Sequence, residues 1–409
     1  FCNQGVPAGS QSLQRFRPHQ DDRDKEKDLE QVMGVYRTLL ASNCTPDEVL
    51  IAAMINAGRN CGQPGWGLVH GLNDIDRLNI SLKDDHLCHI LVAACGESGD
   101  ADSARRMLTK LKELKRGPGS GVGHIDAVDC GQLCKALVSG GDVVGAFEVL
   151  DLMTSPSDWN IVPSAVLFKG LLPACRDLSR GRRLHALITE GMIPLDDSLG
   201  AALVSMYARC GTLSQAMEAF HLIPHPELIS WTAIIGGHAR RQEGGKRALE
   251  LLDEMLVRGV RPNAVTFVAA VLACKSLGDL NGARQLHSLI NASRIPLEDD
   301  VLGTALITMY GTCGDLGEAL AAFDSIPPAL RRVGSWTAII AACVKLQESS
   351  KALTLFDDMI AEGKVIPDAM LLVSVLPACG DIAAITRGRL IFSLINKHGI
   401  IIDDFLDPH

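Results

Sequence analysis

From Leu228 to Asn263 the apolar positions fall into two stripes separated by a break. Leu228, Trp231, Ile234 and Ile235 lie on one face of a helix, and the Gly244–Gly245 pair interrupts the pattern. Ala248, Leu251, Leu252, Met255 and Leu256 then recur at i, i+3, i+4, i+7 and i+8. Gly259 stands where a left-handed cap ends a helix, and Pro262 follows where a helix cannot continue. The pattern predicts two helices of about 12 residues, each roughly 18 Å long. An isolated hairpin of this size cannot bury both stripes, so the segment requires similar hairpins on either side.

Those hairpins are present. Ser335–Ile340 repeats the SWTAII of Ser230–Ile235, and a second stripe follows at Ala352, Leu355, Phe356, Met359 and Ile360, closed by Gly363 and Pro367. Two other types lie between the copies. One begins AVTFVAAVLAC at Ala264 and carries GARQLH at Gly282–His287; the other begins DVLGTALITMYGTCG at Asp300. Both types also occur earlier, as AVLFKGLLPAC (Ala165–Cys175) with GRRLH (Gly181–His185), and as DSLGAALVSMYARCG (Asp197–Gly211). Hairpins of about 35 residues in cycles of three are the mark of a helical solenoid. The periodicity predicts an all-α fold of about nine complete antiparallel hairpins.

The array has uneven ends. Residues 1–27 are polar, include the charged run DDRDKEKD, and read as a disordered leader. The sequence opens on Phe1 without Met, which suggests trimming or processing. Residues 28–46 read as a partial first repeat, with Leu29, Val32, Met33, Tyr36 and Leu40 on one face. Residues 47–164 are divergent hairpins, the first interrupted at Gln63–Gly67, with a flexible GPGSGVG at Gly117–Gly123. Residues 165–403 are regular, and 404–409 read as the cut start of another repeat.

Composition narrows the functions. A net charge of −9 over 409 residues argues against a generally basic nucleic-acid binder, while leaving room for a local basic strip. No apolar run reaches the 18 or so residues of a membrane span, so no membrane partner is expected. The 13 cysteines include no CxxC, and Cys95, Cys175, Cys274, Cys343 and Cys379 recur near the end of a first helix, as buried reduced thiols would. His225-Pro226-Glu227 matches the H-x-E of zinc deaminases, but no P-C-x-x-C follows to complete a zinc site. GxxxxGK[ST], GxSxG and HExxH are also missing. His70, His185 and His287 share one repeat phase and read as packing or surface residues. The chain is therefore expected to be no enzyme, with no catalytic residues, cofactor or metal.

SWTAII, MYARCG (Met206–Gly211), MYGTCG (Met309–Gly314), LPACGD (Leu376–Asp381) and GRxxH together resemble the pentatricopeptide repeat (PPR) proteins. The resemblance is narrower still to the plant-type class that cycles through P, L and S variants. It covers about Asp47 to Asp403 and is sharpest from Ala165 onward. It implies a right-handed superhelical solenoid in which each repeat faces one RNA base. In such proteins the base is read by the fifth residue of the first helix and the last residue of the repeat. Carried over by phase, the P repeats supply Thr232 with Asn263, and Thr337 with Asp368. The L and S repeats supply Lys169 with Asp196, Ala201 with Glu227, Val268 with Asp299, Thr304 with Arg332, and Val373 with Asp403. Ala201/Glu227 and Thr304/Arg332 depart from the readable combinations and should discriminate poorly.

The same resemblance assigns Ile229, Val265, Val301 and Met370 to sandwiching bases. It assigns Arg209, Arg240 and Lys345, at the ends of first helices, to phosphates; each alone is an ordinary solvated cation, but three in one phase suggest a rail. Glu97 and Ser139 hold that phase in earlier repeats, so the N-terminal part should bind more weakly. The resemblance to adenine- and guanine-reading pairs suggests a strand containing 5′-A-N-N-G-3′. Two classes of function follow. One is a guide that recognises single-stranded RNA in a mitochondrion or chloroplast, for C-to-U editing or other processing, with a deaminase or other factor in trans. The other is a scaffold holding a protein or ribosomal RNA in a larger complex, which the acidic total favours.

Overall fold

The computed structural model describes residues 22–41, 46–78, 80, 82, 85–114, 125–155, 159, 161–293 and 300–397. These residues are all-α, with no strand among them. Residues 1–21, the Gly117–Gly123 run and residues 404–409 lie outside the described set, as do Asp299 and Asp403. The chain divides into two compact units, Phe1–Leu195 and Asp196–His409.

In the first unit a single helix, Asp22–Ala41, precedes four hairpins. It begins ahead of the Asp28 start read from the apolar pattern. The first and second helices of each hairpin are termed A and B. The first-unit pairs are Glu48–Asn60 with Pro64–Leu78, Asp85–Ser98 with Ala101–Leu114, Ala127–Ser139 with Val143–Thr154, and Ala165–Ala174 with Leu178–Glu190. The second unit holds six. Its pairs are Asp197–Cys210 with Leu213–His221, Leu228–Ala239 with Gly245–Val257, Ala264–Leu277 with Leu280–Ala292, Asp300–Cys313 with Leu316–Ser325, Val333–Lys345 with Ser349–Glu362, and Ala369–Asp381 with Ile385–Lys397. Within each unit, successive A helices pack on one another and each B helix closes its own hairpin.

Ten hairpins lie among the described residues, against the expected nine or so, and Gln63–Gly67 does not break the first of them. The segment that reads as an interruption is a tight hairpin turn. Pro64 opens the B helix, where its missing N–H is no loss, and a Cβ on Gly67 would come within 3.0 Å of the Ile55 Cα. The glycine permits close crossing of A and B helices.

Both stripes of the 228–257 hairpin are buried as the periodicity requires. Trp231, Ile234, Ile235, Ala248, Leu251, Leu252 and Met255 are almost wholly out of solvent. Trp231 meets Phe220 of the preceding hairpin edge-on at 4.8 Å, and Trp336 repeats this contact with Phe323. The Arg258 guanidinium lies over the Trp231 ring, 5.4 Å from its centre. Neighbouring A helices approach closely at Gly237, where a Cβ would lie 2.7 Å from that of Ala208. Gly259 and Gly363 both take the left-handed conformation their positions called for, with φ of 78° and 64°. The five recurrent cysteines are buried, and burial pushes the Cys95 and Cys274 thiols up to about 12.

Helix starts are set by short polar side chains. Asp47, Asp126, Asp196, Asn263 and Asp368 each accept a backbone N–H from the first turn of the A helix that follows. Leu228–Ala239 is an exception, since Glu227 makes no side-chain cap. Asp197 of the preceding A helix takes over, accepting the N–H groups of Glu227 at 2.8 Å, Ile229 at 3.1 Å and Ser230 at 3.3 Å.

Candidate nucleic-acid interface

The second residue of an A helix lies in its first turn, off the buried stripe. Ile229, Val265, Val301 and Met370 hold this place and are 56–67% exposed. Exposure of a large apolar side chain at one repeat phase is an arrangement that a folding core does not explain. The row runs beyond the four residues read from the sequence. Val49, Val128 and Val166 occupy the same place in the first unit and are as open to solvent. Their signal was in the sequence, as valine second in each predicted A helix; divergence hid it at Val49 and Val128, whereas Val166 stands in a regular repeat. His86, Ser198 and Gly334 interrupt the row.

The polar pairs lie beside this row, and they are not equivalent. Thr232 and Asn263 are brought together by a third residue, Thr266. The Thr232 and Thr266 hydroxyl oxygens are 2.7 Å apart, and the Thr266 hydroxyl donates to Asn263 Oδ1 at 3.0 Å. Asn263 Oδ1 also accepts the Thr266 N–H at 3.0 Å, capping the helix. Thr337 and Asp368 have no such link, because Leu371 stands where Thr266 does. The Thr337 hydroxyl donates to the Val333 carbonyl of its own helix at 2.8 Å, and Asp368 Oδ1 accepts the Leu371 N–H at 2.8 Å.

The remaining pairs offer less. Val268 and Val373 are half-buried and apolar, and Ala201 is buried. The Thr304 hydroxyl is buried without a hydrogen-bond partner among the described residues, so Arg332 alone of that pair is exposed. Asp196 caps its helix through the Leu199 N–H at 2.7 Å, and Lys169 is half-buried in the other unit. A further pair escaped the sequence reading. His89, fifth in its A helix, places Nδ1 2.5 Å from Asp129 Oδ2, while Asp126, last in that repeat, caps the helix bearing Asp129. Burial raises the Asp129 carboxyl above the usual range.

Arg209, Arg240 and Lys345 are exposed at the ends of their A helices. Neither Arg240 nor Lys345 has an ion-pair partner among the described residues, and Lys275 adds another cation in the last turn of its helix. Arg241, next to Arg240, has a different task. Its Nη2 donates to the Ala208 and Gly211 carbonyls at 3.2 and 3.3 Å, satisfying the end of the preceding A helix. In the first unit Arg59 grips Glu97 with two hydrogen bonds of 2.8 and 2.5 Å. His225-Pro226-Glu227 lies in a loop between hairpins. Among the described residues no cluster of three or more His, Cys, Asp or Glu could hold a metal, and no helix is long and apolar enough to cross a membrane.

A stack of short helix hairpins with a repeated edge of exposed apolar side chains, polar pairs and terminal cations makes up an α-solenoid. The family described as PPR repeat matches residues 334–363. A pentatricopeptide repeat-containing protein of Arabidopsis thaliana is 28% identical over 380 residues, covering 91% of this chain and 52% of its own length. Another from the same plant, described as chloroplastic, is 33% identical over 249 residues, covering 60% of this chain and 39% of itself. The chain thus spans about half or less of the length of these relatives. Among solved structures, the pentatricopeptide repeat protein PPR10 from maize shares the fold, with a TM-score of 0.58 at 16% identity over 93% of this chain and 58% of that one. Over most of its length the chain is similar to pentatricopeptide repeat proteins, and it shares their fold.

Proposed function

We propose that this chain binds single-stranded RNA in a sequence-guided way, as a P–L–S array acting in organellar RNA processing such as the recognition of C-to-U editing sites. The observation that carries the reading is the coincidence, in one repeat phase, of exposed apolar side chains with polar pairs of defined hydrogen-bond polarity. Two apolar side chains from adjacent repeats can hold a base by its faces while the pair meets its edge. Ile229 and Val265 flank the Thr232/Asn263 pair on both sides, whereas Thr337/Asp368 has Met370 on one side and Gly334 on the other.

The hydrogen bonds give each pair a polarity. Thr266 has one hydroxyl proton and gives it to Asn263, so it accepts the proton of Thr232. Thr232 therefore offers a lone pair to the ligand and Asn263 its Nδ2 protons. That acceptor–donor pair complements the amino group and ring acceptor shared by adenine and cytosine, and the family resemblance selects adenine. Thr337 has given its proton to its own helix and an ionised Asp368 only accepts, so this pair presents two acceptors. Guanine alone has two adjacent donors on its pairing edge. With the 5′ end toward the N-terminal repeats, the bound strand contains 5′-A-N-N-G-3′.

Relatives described as chloroplastic and mitochondrial support an organellar setting. In this reading any deamination would come from a factor acting in trans. Selection of bound RNAs from a random pool tests the proposal. The parent should enrich A-N-N-G, and Asn263→Asp should move the first position from A to G while leaving the second unchanged. A misread base should cost about 1–3 kcal/mol on the scale of specific protein–DNA sites. A parent without enrichment would overturn the base-reading role.

A further inference from the structure

The third residue of an A helix is not itself placed to meet a base. In the 264–277 helix it is Thr266, which is fully buried. Yet its hydroxyl stands between the two members of the preceding pair, 2.7 Å from the Thr232 hydroxyl oxygen and donating to Asn263. We infer that Thr266 is a positioning residue that fixes which way the Thr232/Asn263 pair presents its donor and acceptor, and so selects bases with an amino group beside a ring acceptor. This rests on the base-reading proposal above and deepens it.

The argument is one of proton counting. A threonine hydroxyl holds one proton and turns freely unless neighbours direct it, and an Asn side chain can flip its oxygen and nitrogen. Left alone, the Thr232/Asn263 pair could show either polarity and would accept all four bases. Thr266 removes both freedoms. Its hydroxyl and its N–H both point at Asn263 Oδ1, which turns the amide nitrogen outward. Its oxygen then takes the proton of Thr232. Because Thr266 is out of solvent, its hydroxyl is shielded from water.

Other repeats show that the position has alternatives. His89 finds the carboxylate of Asp129 at this place, so the same register again ties the fifth residue to the cap. Leu371 makes no such bond, and Thr337 turns instead to the Val333 carbonyl. At Ser230 the hydroxyl reaches Asp197 and the Glu227 carbonyl, while Ala201 has no polar side chain to tie. Among the described residues, the third position thus decides whether a repeat's pair is locked, and by what.

Selection from a random RNA pool with the full chain tests this. Thr266→Val preserves shape and removes the hydroxyl. The expected result is that A loses its lead over G and U at the first position by about fivefold, the weight of one net hydrogen bond, while preference for G three nucleotides on stays as in the parent. Thr266→Ser should restore the parent preference. Thr266→Cys, whose sulfur is a poor acceptor, repeats the loss if the valine variant melts below the assay temperature. A uniform drop in affinity with unchanged preference would mean that Thr266 serves only the helix cap, and would overturn the inference. Asn263→Asp is the control that separates the two ideas. If it shifts preference while Thr266→Val and Thr266→Cys do not, the bridge fails and base reading stands; if the parent shows no preference to shift, base reading itself fails.

Discussion

The two units use the same hairpin and treat their charges differently. In residues 1–195 the charges are stitched from repeat to repeat. Arg59 holds Glu97, Asp76 takes both Arg106 and Lys110, Glu148 takes Arg105 and Lys112, and Asp151 takes Arg183. In residues 196–409 fewer such links occur among the described residues, at Arg284–Asp315, which reaches the turn after an A helix, and at Arg387–Asp357, between B helices. There Arg240 and Lys345 are exposed, with no ion-pair partner among the described residues. The contrast teaches that one repeat phase can serve either as a joint between repeats or as a surface for a ligand. A cation gripped by a neighbouring carboxylate is lost to phosphate, and Glu97 shows this directly, its carboxyl held below the usual range by the Arg59 guanidinium.

The comparison can be broken first at the core. The fourth A-helix residue is Trp231 in the second unit and Cys130 in the first, both fully buried. Trp231→Ala should cost about 3–5 kcal/mol, read by chemical denaturation. Cys130→Ala should cost roughly 1 kcal/mol, because far less apolar volume is lost. Equal losses would show that the regular repeats do not owe their stability to the Trp–Phe contact.

A smaller effect separates the cation rows. Replacing Arg240 and Lys345 together by Ala should weaken RNA binding and flatten its salt dependence by about 1.4 in log K against log salt, at roughly 0.7 per phosphate contact on a single strand. Arg59→Ala should leave the slope unchanged. A matching change from Arg59→Ala would place the first unit's cation on the RNA after all.

The smallest effect is acid sensitivity within the second unit. His238 is buried with neither ring nitrogen hydrogen-bonded, and its pKa is lowered by burial and then by the nearby Arg247 charge. A folded pKa below the unfolded value of about 6.5 means that the contribution to stability is fully present above that pH and is lost as pH falls through the folded value. The melting temperature should therefore fall between pH 7 and pH 5, and by less in His238→Phe. An unchanged pH dependence would assign the acid response to other groups.

Much of this was legible in the sequence, for identifiable reasons. Periodicity located the buried stripes because helix burial depends on local spacing, and Gly259 and Gly363 announced their caps because few residues accept positive φ. What stayed hidden depended on partners far along the chain. Nothing marks Arg59 as engaged, since Glu97 lies a whole repeat away. Arg240 and Arg241 are adjacent and alike, yet one faces solvent and the other ties down the preceding helix. Thr304 matched a reading position by phase, but its hydroxyl is closed off by packing. A threonine at position 266 gives no sign that it bridges two others, because the bridge exists only once two repeats are stacked.

Asp197 gives the array a rule of grammar. Because it caps the helix of the repeat after its own, the unit of exchange here is not one hairpin but a hairpin together with its predecessor. Cutting the chain between Glu227 and Leu228 and grafting the downstream repeat behind a foreign one would leave that helix without its borrowed cap, a cost of about 1 kcal/mol. Anyone assembling new recognition strings from these repeats should carry the 197–227 and 228–263 segments as a single word.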